Sequence, residues 1–133
     1  MSDCPSGAWV QLGANAGLEL RCWWSTPAAS KGNKGEISSV KRVIIVLPEV
    51  FGVNAWVRGV ADRLAAEGIP ALAMPLFART APSLELGYSD ADLALGRQHK
   101  DATNAVQILS DVSVAIGWLR ARYPKAAIGV VGF

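Results

Sequence analysis

The chain has 133 residues, 51% of them hydrophobic and 18% charged, with a formal net charge of +2. That is the size and composition of a single globular domain with one core. The only basic cluster, Lys31, Lys34, Lys41 and Arg42, falls in a Gly/Ser-rich segment and reads as a solvated loop, so nucleic acid is not an expected partner. The N-terminal stretch from Met1 to Gly7 has neither a basic nor an apolar region of the kind a secretory signal needs. The longest apolar runs are strand-length, far short of the roughly 20 residues that cross a bilayer, so a cytoplasmic protein with no membrane partner is expected. Cys4 and Cys22 lack CxxC spacing, and His99 is the only histidine. Neither a metal nor another cofactor is expected. Cys22, in an apparent strand beside Trp23, reads as a small buried apolar residue, and His99, in a polar run, as a surface residue.

Two strands open the chain, Trp9 to Leu12 and Leu18 to Trp24, the second with Leu18, Leu20 and Cys22 alternating against Glu19 and Arg21. Turn residues from Gly13 to Gly17 make an antiparallel hairpin the economical connection. The segment 25–41, rich in Ser, Gly, Lys and Pro, reads as an exposed loop. Lys41-Arg42-Val43-Ile44-Ile45-Val46-Leu47-Pro48 is then a buried strand stopped by proline, and Glu49 stands at its end. Asn54 suits a helix N-cap, and Trp56 or Val57, Val60, Ala61, Leu64 and Ala65 recur at helical spacing to Gly68, which fits the left-handed position after a helix of about residues 55–67. Ile69 to Met74 reads as a short buried strand, which completes a βαβ unit with parallel strands.

Residues 76–100 are the least regular, with one or two helical turns expected over 90–95. From Asp101 or Thr103, the positions Ala105, Leu109, Val112, Ile116 and Leu119 recur at helical spacing to Tyr123, with Arg120 and Arg122 in the last turn. Pro124 closes that helix, and Ala126 to Gly132 is a final short strand. A hairpin followed by alternating strands and helices predicts an α/β fold, a mixed sheet with a parallel centre and helices on both faces. No internal repeat or low-complexity stretch is present.

In open parallel sheets ligands sit beyond the carboxyl ends of the strands, which singles out Glu49, Arg79 and the chain end after Phe133. A carboxylate directly after a buried strand is expected to be partly desolvated and suited to proton transfer. The plain alternative is a solvated Glu49 at the start of the following helix. Backbone amides near Val50 and Phe51 could stabilise a developing oxyanion. Val130-Val131-Gly132-Phe133 is compatible with the first half of a G-x-nucleophile-x-G strand-to-helix elbow, although a buried strand ending in glycine is common.

Pro48-Glu49-Val50-Phe51-Gly52-Val53-Asn54, followed by Pro75-Leu76-Phe77-Ala78-Arg79, by Asp111 within a helix and by Gly129-Val130-Val131-Gly132-Phe133, closely resembles the dienelactone hydrolase family of α/β-hydrolases. The E-x-F-G-x-N element is the specific part, and the resemblance runs from about Val40 to Phe133. It implies an incomplete α/β-hydrolase-type three-layer fold, with residues 1–133 forming one truncated domain. It also implies hydrolysis of enol lactones or related esters through an acyl-enzyme. Glu49 takes the place of the family's active-site glutamate, which governs ionisation of the nucleophile. Val50 takes the place of the residue whose N–H forms part of the oxyanion hole. Arg79 matches a position near the site, and Arg97 lies near the family's substrate-binding arginine. The nucleophile would follow Phe133, with the acid and the histidine later still, so this chain alone is expected to be inactive. The partner implied is a small-molecule lactone or ester. The other reading is a non-catalytic binding or assembly module that self-associates through the unpaired edge of its sheet.

Overall fold

The computed structural model describes residues 6–13, 18–28 and 40–133. A hairpin of β1 (Ser6–Gly13) and β2 (Glu19–Thr26) leads to β3 (Arg42–Leu47), α1 (Ala55–Ala66), β4 (Ala71–Ala73), α2 (Asp90–Asp101), α3 (Ala105–Arg122) and β5 (Ala127–Gly132). The strands form one sheet in the order β1-β2-β4-β3-β5. β1 and β2 are antiparallel with Trp9 opposite Trp23 and Leu12 opposite Leu20. β2 pairs antiparallel with β4, and β3 pairs parallel with both β4 and β5.

The period-two alternation of strand side chains divides the core into two layers. Val43 and Ile45 of β3, Leu72 of β4, Leu20 and Cys22 of β2, and Leu12 of β1 pack with Ala115, Leu119 and Tyr123 on the α3 side. Ile44, Val46, Ala71, Ala73, Trp9 and Trp23 face the other way, against Val57 and Ala61 of α1. The expected three layers are therefore present, with helices on both faces of a sheet whose parallel centre is β4-β3-β5.

Several boundaries differ from the sequence reading. Ser25 and Thr26, placed in the loop 25–41, belong to β2, and Ser25 is fully buried where its hydroxyl donates to Asp62 of α1. Residues 29–39 of that loop, the turn 14–17 and Cys4 lie outside the described residues. Only Ala71 to Ala73 form β4 in place of Ile69 to Met74. The prolines at both ends explain this: Pro70 has no N–H and contributes only its carbonyl, to Ile44, while Met74 reaches Val46 with one last bond before Pro75.

α1 runs close to expectation. Asn54 accepts from the Val57 N–H, and at the other end the N–H groups of Gly68 and Ile69 bond to the carbonyls of Ala65 and Leu64, with Gly68 at φ +91°. Val57, not Trp56, faces the core. α2 spans three turns where one or two were expected. α3 turns Asp111, Ala115 and Leu119 inward, and Leu109 and Ile116, part of the expected apolar face, stand exposed at 65% and 38%. Its apolar residues circle the helix too widely for periodicity to choose the buried side. No helix among the described residues is long and apolar enough to cross a membrane.

Candidate active site

β3 connects to its neighbour β4 through α1 on one face of the sheet, and the chain then returns from β4 past β3 to β5 through α2 and α3, with α3 on the other face, so the carboxyl ends of β3 and β5 flank the crevice of this sheet. Leu47 is in register with Gly132. Glu49 and Phe133 thus leave adjacent strand ends, and Phe133 rests edge-on against Trp56 of α1 at 4.8 Å.

The turn after β3 is built residue by residue from the E-x-F-G-x-N sequence. The Gly52 N–H closes it onto the Glu49 carbonyl at 3.4 Å, and Asn54 N–H bonds back to Gly52. Gly52 has φ +79°, and a Cβ there would stand 2.1 Å from the Leu84 carbonyl oxygen, so both its backbone angle and its neighbour require glycine. Phe51 packs edge-on against Tyr88 at 4.7 Å, and its carbonyl accepts from Leu86. Asn54 is 6% exposed and fully used: its Oδ1 caps α1, and its Nδ2 donates to the Leu86 carbonyl at 3.0 Å and the Tyr88 hydroxyl at 3.1 Å. Arg58 donates to the Val53 carbonyl and to Glu85, which also pairs with Arg21, itself stacked on Trp9. The turn is thereby tied to the segment 84–88 and, through Arg21, to the hairpin.

Glu49 stands exposed at the head of this turn. It lies beyond Pro48 on the rim of the sheet, in the exposed position of the plain alternative reading. Among the described residues no backbone acceptor is bonded to the Val50 N–H. Arg79, after β4, forms a two-point ion pair with Asp111 of α3 at 2.8 and 3.0 Å. Asp111 is 1% exposed and Arg79 30%. Arg97 is exposed on α2, apart from that pair. The fold therefore joins Glu49, Val50 and Phe133 at one crevice and gives Arg79 a partner that the sequence reading did not assign. A cavity of about 10 Å³ beneath the turn, between Trp9, Pro48, Gly52, Pro75 and Phe77, has room for one water and no substrate.

Cys22 is fully buried, and burial, reinforced by the negative charge of Asp111, pushes its thiol up to about 12 from 9.0. It is inert as a nucleophile at neutral pH. His99 is half-buried: its Nδ1 lies 2.9 Å from the Thr80 hydroxyl, and its ring stacks on Phe77.

The model of the dienelactone hydrolase family matches residues 31–133. The chain belongs to the dienelactone hydrolase family. Among curated relatives of this dienelactone hydrolase family member, a Synechocystis sp. protein provisionally named a carboxymethylenebutenolidase is 38% identical over 93 residues. The carboxymethylenebutenolidase of Pseudomonas putida is 32% identical over 98 residues. Each alignment covers 68% of this chain but only 38% and 39% of those relatives, so the chain spans about two fifths of their length. A Klebsiella pneumoniae crystal structure, provisionally named a dienelactone hydrolase, superposes with TM-score 0.74 at 22% identity over 97% of this chain and 50% of its own. A dienelactone hydrolase-like promiscuous phosphotriesterase from metagenomic libraries superposes with TM-score 0.67 at 17% identity over 98% of this chain and 49% of its own. At such identities the two structures speak for the fold.

Proposed function

We propose that this chain is the N-terminal portion of a hydrolase acting on enol lactones or related small carboxylic esters through an acyl-enzyme. The observation that carries this reading is the family match over residues 31–133, together with the E-x-F-G-x-N turn at the carboxyl end of β3. Glu49 is the carboxylate that controls ionisation of the nucleophile, and Val50 offers its N–H to the oxyanion of the tetrahedral intermediate. The nucleophile itself is expected just past Phe133, beside Glu49 across the β3–β5 register. Arg97 supplies positive charge for a substrate carboxylate, and Arg79, its charge met by Asp111, offers its remaining N–H donors. The setting proposed for this chemistry is the cytoplasm.

The test is to read the gene beyond the Phe133 codon and to assay the product with p-nitrophenyl acetate and a dienelactone. A Cys or Ser in the next codon, measurable turnover and a tenfold or larger loss in Glu49→Gln support the assignment. A product that has that nucleophile, is folded and hydrolyses neither ester would sink it.

A second reading, self-association of this chain, is favoured by one observation. Among the described strands β5 pairs with β3 alone, at one end of the sheet, and its Val130 and the following Phe133 are 52% and 53% exposed.

A further inference from the structure

We infer that Gly96, in the middle of α2, is the positioning residue for the proposed oxyanion donor Val50; the inference rests on the hydrolase reading above. Gly96 is the one buried residue of α2 among those described. A Cβ built on it would lie 2.3 Å from the Val50 carbonyl oxygen and 3.0 Å from both the carbonyl carbon and the Cβ of Val50. Glycine is the poorest helix former after proline, and here its lack of a side chain lets a helix backbone press directly on the turn. One helical turn further along the same face, His99 stacks on Phe77 and meets Thr80. α2 therefore bears on both the loop after β3 and the loop after β4.

The consequence for Val50 follows from peptide planarity. The Glu49 carbonyl is directed at the Gly52 N–H, which orients the peptide before Val50. The Val50 carbonyl lies against Gly96, which orients the peptide after it. The Val50 N–H lies in the first of these planes, antiparallel to the Glu49 carbonyl, and Gly96, by bearing on the second, holds the course of the chain to Gly52, whose N–H keeps the first plane in place. An oxyanion hole depends on donors aimed before the reaction begins. Gly96 acts through Val50 and touches no substrate.

Gly117, inside α3, is the built-in control, because a Cβ there meets nothing within 4 Å. On this chain, amide exchange is followed at Gly52, Asn54 and Leu86, whose N–H groups close the turn and bind it to its neighbours. Gly96→Ala should speed exchange at these amides about tenfold or more and leave β3 and α1 protected, while Gly117→Ala changes none of them. His99→Ala, which frees α2 from Phe77 without added bulk, should speed the same amides by a smaller factor. It decides the matter if Gly96→Ala fails to fold. In the extended gene product, Gly96→Ala should lower kcat per titrated active site roughly 10- to 100-fold with KM within about twofold. Unchanged exchange in both variants overturns the inference whatever the activity, as does a loosened turn with unchanged kcat. An inactive parent overturns the hydrolase reading, and exchange alone then decides whether Gly96 sets the turn.

Discussion

At the scale of single residues, Asn54 shows how one side chain serves two elements. Its oxygen caps α1 and its nitrogen holds the segment 86–88. Asn54→Asp keeps the acceptor and loses both donors, whereas Asn54→Ala loses all three bonds. Urea unfolding should show Ala costing about 2 kcal/mol and Asp about 1; equal costs would mean that the cap alone matters. The sequence made the cap legible, since Asn before an apolar helical run is a local signal. The donors' partners lie 32 and 34 residues away, and nothing in the sequence points to them. Cys22 was legible as a buried apolar residue, and its burial has a consequence for pH. Its folded-state pKa of about 12 lies above 9.0, so the stabilisation is whole below pH 9 and is lost as pH climbs towards 12, when the unfolded thiol ionises and the folded one cannot. Between pH 8 and pH 10.5 about 2 kcal/mol of stability should disappear. Tyr123, raised by burial, adds to the slope above pH 10. Cys22→Ala should flatten the dependence between pH 8 and pH 10 in urea titrations, and an unaltered slope would contradict it.

Among the elements, α3 and α2 are where local pattern was least informative. α3 carries apolar residues on several sides, and what selects its inner face is the Asp111 carboxylate, buried only because Arg79 reaches it from the loop after β4. That is a tertiary contact between positions 32 residues apart, invisible to periodicity. Arg79→Ala leaves a charge buried without its partner and should cost about 3 kcal/mol, while the double variant Arg79→Leu/Asp111→Leu should recover most of the loss. Chemical denaturation of the three proteins measures both, and a double variant no better than Arg79→Ala would place the cost in packing. α2 was read as too short because its second half is polar and has glycine at its centre. Ser89, whose hydroxyl accepts from the Asp92 N–H, caps its start, a local signal that the sequence reading did not use. The reason for Gly96 lay in another loop.

For the whole molecule, the order of strands and helices was legible because each βα boundary carries its own punctuation: Pro48, Asn54, Gly68, Pro75 and Pro124. The strand order was not, since nothing in three residues of β4 says that they lie between β2 and β3. The exposed apolar surface also belongs to this scale. Val106, Leu109 and Ile116 of α3, and Val130 and Phe133 at the end of β5, are each exposed. Sedimentation across a hundredfold range of concentration should show association that Val130→Lys weakens; a monomer throughout would end the self-association reading. The three rungs of β4 have one further implication, for motion. The hairpin joins the parallel half of the sheet through Trp23, Trp24 and Ser25 opposite Ala73, Leu72 and Ala71, helped by the bonds of Trp23 and Ser25 to Asp62. Among the described strands only the β3–β4 junction has as few rungs, and there α1 links the two strands directly in sequence, so a molecule that opens in cooperative units opens at β2–β4. β1 and β2 should therefore breathe as one unit, on a timescale separate from that of the β4-β3-β5 half that carries the Glu49 turn.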